Sequence, residues 1–120
     1  MSDTAIRELD WYLRDHLFRE SKVAKTTFKL ESLPSQMSSL YLRYKNANLE
    51  QLSQLMVPVI NNLLARNVLE QQYDELSMPH SLTRLQCSKC FYINYLAKIE
   101  QRACLRCQHT VLHDFPKKKA

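Results

Sequence analysis

Glycine is absent from all 120 residues of this sequence. Tight turns and helix C-termini usually recruit it for backbone conformations with positive φ, so other residues, Asn foremost, must take those positions. The absence also removes Gly-rich phosphate loops and dinucleotide fingerprints, which need a backbone approach that a Cβ blocks, and nucleotide enzymology is not expected. Long apolar runs are missing too: stretches such as Met56-Val57-Pro58-Val59-Ile60 are only a few residues long. Neither a signal peptide nor a membrane span is expected, and the chain should reside in the cytoplasm, or in the nucleus if eukaryotic. No nucleophile–base pair or paired carboxylates can be located, so neither an enzyme nor a small-molecule substrate is expected.

Acidic residues are scarce in one region only. Residues 1 to 78 carry nine Lys or Arg against ten Asp or Glu, whereas residues 79 to 120 carry eight against two, so the net charge of +5 is C-terminal. Such a segment suits phosphate backbones or an acidic protein partner.

With 45% apolar residues the chain has enough for a modest core. Ile6, Leu9, Leu13 and Leu17 recur at helical steps over residues 3 to 20, with Ser2 or Asp3 as cap, and Trp11 and Phe18 widen the stripe. Lys25 to Leu30 alternates like a short extended connector. Pro34 and Ser35 open a second helix with Met37, Leu40, Tyr41 and Tyr44 on one face, ending near Asn46. Asn48 and Gln51 form a capping box before Leu52, Leu55, Met56, Val59, Ile60, Leu63 and Leu64, the strongest amphipathic run. Pro58 should kink that helix or break it in two. Asn67 offers a left-handed stop, although Val68, Leu69, Tyr73 and Leu76 keep the helical period and allow continuation. Residues 35 to 66 invite comparison with a helix-turn-helix, but the helix after Asn48 has Arg66 alone among basic residues, which favours plain helical packing.

The expectation is a mainly α protein: a helical domain over 1–78 forming a bundle of about three to four helices, a small C-terminal four-cysteine zinc ribbon of short β-hairpins over 79–116, and a basic tail over 117–120. Cys87, Cys90, Cys104 and Cys107 follow the spacing C-x2-C-x13-C-x2-C. A two-residue gap lets both thiolates of a pair converge from one turn, and two such turns complete the tetrahedron that zinc prefers. No α/β pattern surrounds either pair, which argues against a redox dithiol, and in a reducing compartment two such pairs are metal ligands more often than disulfides. Spacing leaves an iron centre open as the alternative. His109 and His113 lie nearby, but four cysteines complete the set and leave no position for an activated water, so one structural Zn2+ is expected. Phe91, Tyr92, Ile93 and Tyr95, then Val111, Leu112 and Phe115, supply β-formers.

Lys89 and Arg106 hold the third position of the two C-x-x-C turns. With Arg84, Lys98, Arg102, Lys117, Lys118 and Lys119 they form the candidate nucleic-acid contacts. Leu85-x-Cys87-x-x-Cys90 with a following aromatic–aliphatic strand, then Ala103-Cys104-x-x-Cys107-Gln108 and a basic tail, resembles the end of the bacterial flagellar transcription activator FlhC family. The likeness covers about the last third of the chain. Members bind zinc through four such cysteines and act on promoter DNA with a small helical partner, so the resemblance implies Cys87, Cys90, Cys104 and Cys107 as ligands. The chain departs from that pattern in being much shorter, in its tighter intercysteine gap, and in having Phe91 and Gln108 where Gly commonly follows a zinc knuckle. Together these readings point to a transcription regulator whose ribbon contacts DNA and whose helices bind a protein partner or dimerise. The alternative is a protein–protein adaptor, a small subunit docking through its ribbon.

Overall fold

The computed structural model describes residues 3–20 and 27–115; the expected cap at Ser2, the start of the extended connector and the tail lysines lie outside them. Helix α1 (Asp3–Glu20) and strand β1 (Thr27–Lys29) precede helices α2 (Leu33–Leu40) and α3 (Leu49–Ala65), and five strands follow: β2 (Glu70–Gln72), β3 (Glu75–Ser77), β4 (Leu82–Cys87), β5 (Ile93–Ala97) and β6 (Leu112–Asp114). The strands form two antiparallel three-stranded sheets, ordered β1-β3-β2 and β5-β4-β6. The expected mainly α bundle of three to four helices is thereby corrected to a mixed architecture, among the described residues three helices with two small sheets, one of which joins the extended connector near residue 28 to a hairpin at residues 70–77 where helix was expected to be able to continue. No described helix is long and apolar enough to cross a membrane.

Two local events cause the difference. Asn67 takes φ 62° and stops α3, after which Val68 and Leu69 turn inward and are buried, and Tyr73 at φ 58° closes a β2–β3 hairpin. The apolar spacing of residues 68 to 76 mimics a helical period, yet a left-handed residue cannot be carried inside a helix. Leu76 then faces Phe28 of β1 across the sheet, and both side chains enter the core. The second helix also ends earlier than its apolar spacing suggests. Tyr41 is extended, at φ −118° and ψ 125°, and a single 3₁₀ turn over Leu42–Tyr44 follows.

Helix α3 begins as its cap residues require, with the Gln51 N–H donating to Asn48 Oδ1 at 3.1 Å. It runs unbroken through Pro58 to Ala65. Leu52, Met56, Val59, Ile60 and Leu63 bury one face, against the fully buried Leu9, Leu13 and Leu17 of α1. Each such side chain is worth about 1.5–3 kcal/mol on burial, so these two helices carry much of the core.

The β5-β4-β6 sheet is two-faced, as the alternation of strand side chains requires. Ile93, Tyr95, Ala97 and Leu82 join the helical core, whereas Leu85, Cys87, Leu96, Cys104 and Leu112 form a second apolar cluster on the other side. Helix α1 is bonded to the first face over long sequence separations. Trp11 Nε1 donates to the Ile93 carbonyl at 2.8 Å and Arg14 Nη1 to the Tyr95 carbonyl at 2.6 Å. The Arg14 guanidinium, 1% exposed, also grips Glu100 with two parallel bonds of 2.7 and 2.9 Å and reaches Asp10 at 3.0 Å. Asp15 accepts from Tyr95 and Tyr41 hydroxyls and from Arg19, tying α1, β5 and the end of α2 together.

Two carboxylates share Arg14 unequally. Burial would raise Glu100, but the Arg14 hydrogen bonds and charge outweigh it and hold its carboxyl below the ordinary value of 4.5. Burial prevails at Asp10, whose carboxyl is raised and whose Oδ1 has no hydrogen-bond partner among the described residues. A depressed folded-state pKa contributes stability that is complete above the unfolded value and lost as pH falls through the folded one. Glu100→Gln is therefore expected to destabilise the protein at pH 7 by about 3–5 kcal/mol, the usual effect of orphaning one member of a buried pair. Urea titrations should show that difference shrinking below about pH 4.5, the ordinary glutamate range. A gap unchanged from pH 7 to pH 3 would show that Glu100 acts through packing rather than charge.

Candidate metal centre and basic surface

The sheet delivers the first cysteine pair directly. Cys87 closes β4 and pairs with Leu112 of β6, and the chain turns through Ser88 and Lys89 to Cys90 before re-entering β5. The second pair sits on a matching turn after Glu100. In each turn the residue after the second cysteine bonds back to the carbonyl of the first: Phe91 N to Cys87 O at 3.1 Å, Gln108 N to Cys104 O at 2.9 Å. Both Phe91 and Gln108 are left-handed, at φ 63° and 66°. These are the positions at which Gly would be expected, and the chain meets the same backbone demand with side chains that cost about 1–2 kcal/mol there.

The turns aim N–H groups at the sulfurs. Cys87 Sγ accepts from Lys89 N at 3.3 Å and from Cys90 N at 3.5 Å, and Cys104 Sγ accepts from Arg106 N at 3.4 Å. Across the centre, Cys87 and Cys107 sulfurs lie 3.6 Å apart, as do those of Cys90 and Cys104, and the four ligand atoms all fall within 4.8 Å of one another. The four cysteines brought together in this way can hold a metal ion.

Electrostatics ranks the sulfurs. Burial acts to raise Cys104, but the Cys107 N–H, the Asn94 amide and the Arg106 N–H outweigh it and bring the thiol down to about 6. Cys87 is lowered in the same manner, its burial overcome by the N–H groups of Cys90 and Lys89. Cys90 receives help from Tyr92 N–H, yet burial and its three sulfur neighbours push it up to about 12. The leading sulfur of each turn is thus shifted toward the thiolate, the form that binds metals.

Asn94 is the site residue that cysteine spacing does not reveal. It is fully buried on the metal side of β5. Its Oδ1 accepts from Leu105 N at 2.8 Å, and its Nδ2 donates to the Tyr92 carbonyl at 3.2 Å and to Cys104 Sγ at 3.5 Å. One amide therefore fixes the second turn on the sheet and stabilises charge on a ligand. The only sequence signal was an amide inside the apolar run Tyr92-Ile-Asn-Tyr-Leu96. His109 offers its carbonyl to Cys104 N at 2.8 Å, and neither it nor His113 belongs to the ligand cluster.

The basic residues do not share one role. Lys89 and Arg106 are exposed on the two turns, and Lys98 is exposed beyond the end of β5. Arg84 is engaged: its Nε donates to the Phe115 carbonyl at 3.0 Å and its guanidinium lies 5.1 and 5.5 Å from the Phe18 and Phe115 ring centres. Arg102 is exposed but donates to the Leu112 carbonyl at 3.3 Å. Lys117, Lys118 and Lys119 lie outside the described residues.

Asn94→Ala is expected to weaken metal binding by about 10–100-fold, the usual effect of losing an outer partner of a ligand, in competition against a chromophoric chelator. Phe91→Gly and Gln108→Gly should each raise the stability of the metal-loaded chain by about 1 kcal/mol, since Gly takes positive φ without a Cβ penalty. Unchanged or lowered melting temperatures for both would contradict the left-handed turns.

No protein-family model matches this chain, and neither the curated proteins nor the solved structures, FlhC among them, provide a match.

Proposed function

We propose that this chain is a non-enzymatic, nucleic-acid-associated regulatory protein, a transcription regulator by class, in which one structural Zn2+ fixes a basic contact surface. The arrangement of the four sulfurs carries the zinc part of this reading. Zinc–thiolate bonds of about 2.3 Å in a tetrahedron place sulfurs about 3.8 Å apart, and the two closest pairs here are at 3.6 Å. A set of four thiolates leaves no open position, so the ion would supply folding energy rather than activate water. Cys87, Cys90, Cys104 and Cys107 would be its ligands.

Lys89 and Arg106 support the nucleic-acid part. They project from two turns joined through the metal, so their spacing would be fixed before any partner arrives, and binding would cost little ordering of the backbone. Phosphate contacts are the chemistry that exposed Lys and Arg on a rigid turn suit best. Lys98 and the tail lysines would add charge, whereas the head group of Arg84 already has partners within the fold.

Purified protein is expected to contain one zinc per chain by elemental analysis, and chelation should abolish the β5-β4-β6 signals in an NMR spectrum. Titration of a nonspecific DNA duplex should give affinity falling linearly with the logarithm of salt, and Lys89→Ala with Arg106→Ala should reduce that slope by about two, close to one per lost phosphate contact. No binding to duplex DNA at low salt would overturn the nucleic-acid reading and leave the zinc assignment standing.

A further inference from the structure

A groove of about 820 Å³ runs between the exposed side of α1, the last turns of α3 and the second cysteine turn. Its apolar wall is made by Ile6, Trp11, Tyr92, Ile93 and Leu105, and polar and charged side chains alternate with these around it. Four arginines stand around it, Arg7 from α1, Arg43 from the 3₁₀ turn, Arg66 from the end of α3 and Arg106 from the cysteine turn. Three of these belong to the part of the chain whose overall charge is close to neutral. The fold concentrates at one place a positive charge that is dispersed in sequence.

The acidic groups bordering the groove do not balance it. Glu8 is committed to Arg43 and Asp10 to Arg14. Arg66 is 3.5 Å from Glu100, which is itself held by two bonds to Arg14. Among the described residues, Arg7 and Arg106 form no ion pair, and both are exposed.

We propose that this groove is a docking site for a segment of a partner protein that carries large apolar side chains flanked by carboxylates. Charge complementarity selects an anionic occupant, and the apolar wall requires one that brings hydrophobic surface. The aromatic geometry favours a peptide over a nucleic-acid strand. Trp11 and Tyr12 meet edge to face at 5.1 Å and 89°, and Tyr12 in turn packs on Tyr41 and Tyr44 at 5.0 and 5.3 Å. Rings interlocked in this way offer no flat platform for successive bases, whose binding depends on open ring faces. Ile6, Ile93 and Leu105 instead suit the side chains of a peptide, with arginines on the rim to fix its register. The docking site shares Arg106 with the proposed phosphate contacts, so Arg7, which belongs to the groove alone, and Lys89, which belongs to the phosphate contacts alone, distinguish the two.

Trp11 is the sole tryptophan of the chain and lines the groove, so its fluorescence reports occupancy directly. The test is selection of random 12-residue peptides, displayed without tryptophan, against the full metal-loaded chain. The selected peptides should be enriched in Leu, Ile or Phe between Asp or Glu, and synthetic copies should change Trp11 emission on titration. Arg7→Glu and Arg106→Glu should each weaken binding of those peptides by about tenfold or more, as expected for reversing a rim charge. Arg7→Glu should leave duplex DNA affinity unaltered, and Lys89→Glu should leave peptide affinity unaltered, which separates this site from the proposed phosphate contacts. Selection of basic or uncharged peptides, peptide binding insensitive to both arginine reversals, or quenching of Trp11 by single-stranded oligo(dT) with loss on Arg7→Glu would each overturn the proposal. The last result would assign the groove to nucleic acid.

Discussion

The guanidinium of Arg14 sits where α1, β5 and the turn that leaves β5 converge, and the docking of helix on sheet depends on its being there. It is buried, and a buried cation is tolerated only when its donors are used. Glu100 takes two of them, Asp10 one and the Tyr95 carbonyl another. Glu100 in turn accepts the Ala97 N–H at 2.9 Å, so the turn leaving β5 is set by the same carboxylate that neutralises the helix. Replacing Arg14 alone would leave Glu100 and Asp10 as uncompensated buried carboxylates, and it would also release the angle between α1 and β5. Specification of one relative orientation is the property that such buried networks confer here.

That orientation links two kinds of stabilisation that usually stand apart. One face of the β5-β4-β6 sheet shares the apolar core of the helices, while the other surrounds the sulfurs with Leu85, Leu96 and Leu112. Asn94 and Tyr95 are adjacent and point to opposite faces, one bonded to a ligand cysteine and the other to Asp15 of α1. A change at the four-cysteine cluster is therefore one residue away from the helical core. The groove with its four arginines exists because of the same placement, since its walls come from α1, α3 and the cysteine turns at once.

Much of this was legible in residue order, and the failures have definite causes. The α1 stripe, the Asn48 cap and the four cysteines depend on local spacing, and local spacing suffices for them. The β2–β3 hairpin was ambiguous because Val68, Leu69, Tyr73 and Leu76 satisfy a helical period, and the decision rests on one dihedral angle at Asn67. Arg14 and Glu100 were silent because each looks like an ordinary surface charge until their separation of 86 positions is closed by the fold. Asn94 was hidden by its neighbours, since β-propensity describes the strand and not the one amide in it. For the basic residues, composition located the excess but could not distinguish Arg84, stacked against Phe18, from Lys89, exposed on its turn.

The distance along the chain between α1 and its partners bears on how the protein is made. Arg14 must wait for Tyr95, which lies 81 residues later, and at ribosomal speeds of about 5–20 residues per second that is a delay of roughly 4–16 s. Helix α3 can cover Leu9, Leu13 and Leu17 before then, but the side of α1 that meets the sheet has no partner, so final docking of the first helix waits until β5 has emerged. Such dependence on non-local contacts slows folding and exposes apolar surface to other nascent chains. An α1 this polar on its remaining face, with Arg7, Arg19 and Glu20 exposed, is suited to remain dispersed during the wait.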